Sequence, residues 1–253
     1  MNLIQRIINE LRKAVQGKDQ VLIWVLMTIL ARGNILLEDI PGVGKTNMAL
    51  AFSRTQSALL EAMEEGQVTV DGVSHPLPRP FTVIATQNPT GAAGTQLLPD
   101  SQMDRFTVRL SVGYPQPKDE LDMVLARQGG VNPLNAVRQV VTAAELVSMQ
   151  EAVGKIYMKE SLIAYVVSLV SATRQHPQIS RGASPRATLA IVSMAKATAY
   201  MNGRDYVLPE DVQTVFVGTV SHRILLSNEA QNLGLTENAV LTELMGRIAP
   251  PKV

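Results

Sequence analysis

Residues 34–46 read NILLEDIPGVGKT, and their reading decides the fold. Ile35, Leu36 and Leu37 form a short apolar run of the kind a buried parallel strand shows. The turn runs from Asp39 through Ile40, Pro41, Gly42 and Val43 to Gly44, and Lys45 and Thr46 open a helix. This is G-x-x-x-x-G-K-[ST] in all but its first position, where Asp39 stands for Gly. Gly42 and Gly44 let backbone N–H groups curl round a phosphate with no Cβ in the way. Lys45 supplies a point charge for β/γ-phosphates, and the Thr46 hydroxyl is placed for Mg²⁺. The positive end of the helix dipole adds to this. A glycine turn before a chance lysine is the bland alternative. G-K-T directly between a strand and a helix argues for nucleotide phosphate instead.

Composition bounds what surrounds this loop. A chain of 253 residues has room for one large or two small domains. A net charge of +1 gives no electrostatic case for nucleic acid or an anionic membrane. The absence of Cys rules out disulfides and thiolate metal sites and fits a reducing compartment. His75, His176 and His222 form no ligand spacing, so no His-based metal site is expected. Arg6, Glu10, Arg12 and Lys13 interrupt any signal-peptide stretch, and the apolar run 21–31 is too short to span a bilayer. The expectation is a cytoplasmic protein with no stable membrane insertion.

Along the chain, 2–15 reads as an amphipathic helix with Leu3, Ile4, Ile7, Ile8, Leu11 and Val15 on one face. A second helix, 18–32, is apolar nearly all round, with Gly33 as its C′ residue. After the phosphate loop, 45–65 contains no breaker and reads as one long helix ended by Gly66. Residues 67–78, QVTVDGVSHPLP, form a hairpin about Asp71-Gly72. Residues 81–86 read as a second buried strand leading into Gln87, Asn88 and Pro89, at the strand end where open α/β sheets hold ligands. A third strand covers 107–112. Gly113-Tyr114-Pro115-Gln116-Pro117 is the clearest composition break. The boundary is placed there, giving a core of 1–115, with the hairpin inserted, and a helical part of 116–253. Helices are expected near 118–128, 142–154, 159–174, 184–201, 209–222 and 236–248, with 178–183 as a loop. Candidate caps are Thr142 with Glu145, Ser184 with Pro185, and Pro209. The fold class is α/β: a P-loop core with a parallel sheet, followed by an all-α part.

The stretches LLEDIPGVGKT, TQSALLEAMEEGQVTVDG, FTVIATQNP, LPDSQMDRF, GASPRATLA and SHRILLS together closely resemble the MoxR family of AAA+ ATPases, over nearly the whole chain. Magnesium chelatase ATPase subunits resemble it next. The resemblance implies ATP and Mg²⁺ as cofactors. It implies self-assembly into a ring of hexamer type, and hydrolysis that drives chaperone-like remodelling or maturation of a client. Proteins with a von Willebrand A domain are the family's usual partners. Pro41, Gly42, Val43, Gly44, Lys45 and Thr46 match the phosphate loop, and Val15 and Gly17 the segment lining the adenine pocket. Asn88 matches sensor 1, which orients the attacking water. Arg105 matches the arginine finger, a cation for the transition-state charge on a neighbouring subunit's nucleotide. Its plain alternative is an ion pair with Asp104. Arg186 matches sensor 2, the lid's cation. The hairpin 67–78 resembles the moving insert of this superclade.

One family element has no counterpart. The family carries two strands between the phosphate-loop helix and TQSALLEAMEE, the second ending in the Asp-Glu of Walker B. In this chain Ser53 is followed directly by Arg54. Without that pair no carboxylate is assigned to the Mg²⁺ shell or to polarising the attacking water. Either the segment was lost from the sequence as assembled, or the chain is shortened in nature. A shortened chain leaves a sheet of order 3-1-2 (strand 107–112, then 34–38, then 81–87) with an exposed edge at 81–87 and an open apolar patch. Those liabilities favour a lost segment. The readings carried forward are an ATPase of this family, a hydrolysis-deficient nucleotide-binding scaffold or inactive subunit, and a magnesium-chelatase-like motor subunit.

Overall fold

The computed structural model describes residues 3–15, 17–38, 61–87, 98–114, 116–128 and 133–252. Two helices come first, α1 (Leu3–Leu11) and α2 (Asp19–Leu30). Strand β1 (Ile35–Glu38) follows, and residues 61–65 are helical. Next come β2 (Gln67–Val70), β3 (Val73–Pro76), β4 (Ile84–Gln87), the four-residue helix α3 (Asp100–Met103), β5 (Val108–Ser111) and α4 (Pro117–Gln128). The rest is mainly helical: α5 (Ala143–Lys155), α6 (Glu160–Thr173), α7 (Pro185–Met201), α8 (Pro209–Val220), α9 (Asn228–Asn232) and α10 (Glu237–Arg247). A small pair, β6 (Ile179–Arg181) and β7 (Leu225–Leu226), ties the last third together.

The main sheet has the order β4-β1-β5 and is parallel throughout, the arrangement expected for the reduced sheet. Strand β1 is central because both its faces are apolar. Ile35 packs into the large core and Leu36 into a second, smaller one with Met103 and Phe106. Asn34 fixes the register where the strands begin. Its Oδ1 accepts from Val83 N at 3.0 Å, and its backbone N–H donates to Thr107 Oγ1 at 3.2 Å.

The large core runs without interruption from α1, α2 and the sheet into the helices beyond the Gly113–Pro117 break. Helix α7 is its axis, touching α2, α5, α6 and α8, while α8 also packs on β5. Phe216, Leu162, Leu169, Ile191 and Met194 are fully buried. Each contributes roughly 1.5–3 kcal/mol against its exposed reference. The helix starts follow local chemistry. Thr142 and Glu145 form the reciprocal capping box, Ser184 caps α7 ahead of Pro185, and the Asp211 carboxylate accepts from Leu208 N behind Pro209.

Four expectations are corrected. Helix α2 ends with Arg32, not Gly33, in the left-handed C′ position (φ 57°), and Gly33 N donates to Thr28 O at 2.8 Å as the next residue of a Schellman end. Gly33 is needed for another reason: a Cβ there would lie 2.4 Å from Thr107 Oγ1. Val15 is exposed, because the chain leaves the helix after Leu11. The strand read at 81–86 is shorter and not buried. Among the described residues β4 is an edge strand, and Ile84 is 50% exposed. Residues 179–181 are strand rather than loop, because they pair with 225–226. The hairpin is as expected. β2 and β3 are antiparallel, and Asp71 and Gly72 both take positive φ, as a type I′ turn requires.

Candidate functional site

The turn after α3 is the natural starting point. Met103 and Phe106 are buried in the second core beneath β1, and their anchoring leaves Asp104 and Arg105 facing a cleft. The cleft measures about 250 Å³ and is lined by Arg32, Gly33, Glu64, Arg105, Arg186 and Ser193 among others.

Two of the sequence-assigned cations meet in this cleft. Arg105 Nη1 lies 2.7 Å from Glu64 Oε2, and an Arg186 Nη pairs with the other oxygen of the same carboxylate. Arg186 is set there by the start of α7. The Ser184 hydroxyl accepts from Arg186 N at 3.2 Å and donates to Asp104 Oδ2 at 2.8 Å. A single side chain therefore caps the helix of Arg186 and holds the turn of Arg105. The ion pair considered between Asp104 and Arg105 is not what forms. Arg105 turns to Glu64, and Asp104 takes Arg223.

Arg223 is the residue the sequence reading left without a role. It sits in a short 3-10 turn, Ser221–Arg223, with its side chain only 3% exposed. Nη1 donates to Asp104 Oδ1 at 2.6 Å and to Asp104 O at 2.9 Å, Nη2 to Phe106 O at 2.7 Å, and Nε to Thr219 O at 3.0 Å. Burial pushes its pKa down, and the Asp104 carboxylate opposes that. Beside it, His222 Nε2 donates to Phe106 O at 2.9 Å, which fixes the proton on Nε2. Burial holds the His222 pKa down at about 3, so the ring is neutral. Outside this clamp, Arg181 reaches Asp100 on α3 at 2.5 Å and lowers that carboxyl's pKa. A signal for the clamp was present in SHRILLS. A His-Arg pair between Val220 and Ile224-Leu225-Leu226 is charge embedded in apolar sequence, and buried charge needs partners.

Gly17 has φ 69°, and a Cβ on it would lie 1.9 Å from Asp119 Oδ2 of α4. Neither Val15 nor Gly17 lines the cleft. Pro41, Gly42, Val43, Gly44, Lys45, Thr46 and Asn88 lie outside the described residues, as does most of the long helix read at 45–65. The described chain nevertheless brings the approaches together. Glu38 and Gln87, the residues before the loop and before Asn88, are register partners on parallel strands. Among the described residues no helix is long and apolar enough to cross a membrane.

Residues 50–108 match the ATPase family associated with various cellular activities (AAA), and residues 171–244 match the AAA lid domain. The chain is 34% identical to YeaC, an uncharacterised protein of Bacillus subtilis, over 98% of this chain and 95% of that one. It is 30% identical to the chaperone MoxR1 of Mycobacterium tuberculosis, over 100% of this chain and 84% of that one. A crystal structure of a candidate ATPase from Cytophaga hutchinsonii superposes with a TM-score of 0.87 at 30% identity, covering 99% of this chain and 96% of that one. The first two alignments extend over 305 and 318 positions against 253 residues here, so both relatives carry positions with no counterpart in this chain.

Proposed function

This chain belongs to the MoxR family of AAA+ ATPases, and on that premise we propose that it binds ATP with Mg²⁺ and uses it to remodel or mature a partner protein. The observation that carries the proposal is the convergence of Arg105 and Arg186, 81 residues apart in the numbering, on one carboxylate at one cleft. Two guanidiniums brought together this way suit an anion with several charged oxygens. In the proposal, Gly42, Gly44 and Lys45 cradle the phosphates and Thr46 faces the metal. Asn88 orients water, and at the cleft Arg105 from the core and Arg186 from the lid face the phosphates of the nucleotide held by the next subunit in a ring. Mg²⁺, when bound, would neutralise phosphate charge. Residues 1–115 then act as the nucleotide core and 116–253 as the lid. A ring of six and a client with a von Willebrand A domain complete the reading.

A second reading has its own support. The sequence lacks an Asp-Glu strand end between Ser53 and Arg54, and the relatives' alignments are longer than this chain. This 253-residue chain would then bind ATP with little turnover, as a scaffold or inactive subunit. Equilibrium ATP binding together with phosphate release separates the readings. Saturable ATP binding that is lost in Lys45→Ala supports both, and turnover decides between them. A chain that binds no ATP overturns the proposal. The intact mass of the natively expressed protein is the companion measurement. A mass near 27.4 kDa fits a real Ser53–Arg54 junction, and a mass several kDa higher fits a complete ATPase.

A further inference from the structure

Glu64 lies one position before the end of the helical stretch 61–65. Its two oxygens hold the two candidate phosphate cations, Arg105 and Arg186. Three positions earlier on the same stretch, Glu61 holds the hairpin. It accepts from Thr69 N at 2.9 Å and from Thr69 Oγ1 at 2.5 Å. Residues three apart are neighbours on a helix surface. One helical turn thus fastens the hairpin with one carboxylate and the arginines with the next.

We propose that Glu64 is a resident anion in the cleft: it occupies Arg105 and Arg186 until the phosphates of the next subunit's nucleotide take them, and that exchange releases the helix end and the hairpin fastened to it. The inference rests on the nucleotide reading above and adds the residue that links the cleft to the hairpin. The exposures argue for exchange. The Arg105, Glu64 and Arg186 side chains are 23%, 35% and 47% exposed, so water screens both contacts and each is weak. A polyphosphate offers these guanidiniums more charge and more acceptor oxygens than one carboxylate. The Arg223–Asp104 contact is buried and holds four acceptors on one guanidinium, so it keeps the turn in place while Glu64 lets go. Glu61 keeps the hairpin attached to the helix, so the two move as a unit.

The absence of Cys makes the test clean. His75 is exposed on β3, and His75→Cys gives a single attachment point for a spin label. In this labelled parent, saturating ATP–Mg²⁺ is expected to change the label's spectrum. In Glu64→Gln, which keeps the shape and removes the charge, the nucleotide-free spectrum should already match the ATP-bound parent. Its ATP dissociation constant should fall about three- to ten-fold, the range that follows from losing a weak competing ion pair. Glu64→Asp, which keeps the charge but shortens its reach, should shift both readouts in the same direction by less. The affinity gain should vanish in an Arg186→Gln background. A parent that binds no ATP overturns the nucleotide reading and this proposal with it. A parent that binds ATP, while Glu64→Gln leaves affinity and spectrum unchanged, overturns this proposal alone.

Discussion

Arg223 and Asp104 are 119 residues apart, and the guanidinium of one binds both the carboxylate (2.6 Å) and the main-chain carbonyl (2.9 Å) of the other. The contact welds the last third of the chain to the turn that carries Arg105. Arg223 is nearly fully buried, so removing it leaves the Asp104 carboxylate without its cation and takes this donor from the carbonyls of Asp104, Phe106 and Thr219, of which Phe106 O keeps His222. Breaking one side of a buried pair costs about 3–5 kcal/mol. Arg223→Ala should lower the unfolding free energy by that amount in urea titrations. Arg223→Lys should recover less than half of it, because one ammonium cannot reach the acceptors on three sides. A loss under about 1 kcal/mol in Arg223→Ala would mean that the weld is not energetically important.

His222 gives the fold a pH dependence with a definite sign. Its folded pKa is about 3, against 6.5 for the ordinary imidazole. Between those values the unfolded chain binds a proton and the folded chain does not, so stability rises with pH across that window and is full above 6.5. Moving from pH 7.5 to pH 5 should cost about 2 kcal/mol, 1.5 pH units below the unfolded pKa. The depressed carboxyls, such as Asp19 and Glu61, take effect only further down, as pH falls from their unfolded values towards their lowered folded ones. In His222→Gln, denaturation curves at the two pH values should converge. Equal pH sensitivity in parent and variant would assign the effect elsewhere.

Gly218 lies inside α8, where Ala would ordinarily add about 1 kcal/mol of helix propensity. Here a Cβ would come within 2.7 Å of the Trp24 ring, and overpacking costs about 1–3 kcal/mol. Gly218→Ala should therefore be a net loss. Trp24 is the single Trp, so its emission should change at the same time. Gly154 in α5 is the control, since a Cβ there meets nothing within 4 Å and Gly154→Ala should stabilise by up to about 1 kcal/mol. If Gly218→Ala proves as stabilising as Gly154→Ala, the α2–α8 contact is looser than its geometry.

Local chemistry made much of this fold legible. Thr142 with Glu145 and Pro209 announce their helices, and Asp71-Gly72 announces its hairpin. Three apolar runs joined by crossovers leave few sheet orders, and β4-β1-β5 is the one that forms. What escaped was decided at long range. Strands of two and three residues such as β6 and β7 show no periodicity. The exposure of Ile84 depends on what lies beside β4, which its own alternation does not encode. In the candidate site, motifs pointed to Arg105 and Arg186. Their partner Glu64 lies 41 and 122 residues away in a helix end that reads as ordinary acidic surface. The Arg32 left-handed cap was hidden because Gly33, the better candidate by conformational freedom, was taken up by close packing on Thr107.

Turnover is the prediction on which the reading of the chain depends. In the proposed mechanism Lys45 and the glycines of the loop supply binding, and Arg105 and Arg186 supply charge for the transferred group. None of these removes or polarises a proton on the attacking water. A positioned base contributes typically about 10²–10⁴-fold. By the family resemblance, that base and the Mg²⁺-shell carboxylate belong to the segment that has no counterpart between Ser53 and Arg54. On the second reading, with a real Ser53–Arg54 junction, the 253-residue chain should therefore bind ATP in equilibrium titrations and release phosphate at or near background. Inserting the corresponding segment of the Bacillus subtilis relative at Ser53–Arg54 should raise phosphate release by at least about 100-fold, and Lys45→Ala in the restored chain should abolish it. The insertion should also cover the edge of β4, so the restored chain should aggregate less on heating. Brisk turnover by the unmodified chain, abolished by Lys45→Ala, would show instead that a carboxylate already present, such as Glu38 at the end of β1 or its sequence neighbour Asp39, does the work assigned to the absent pair.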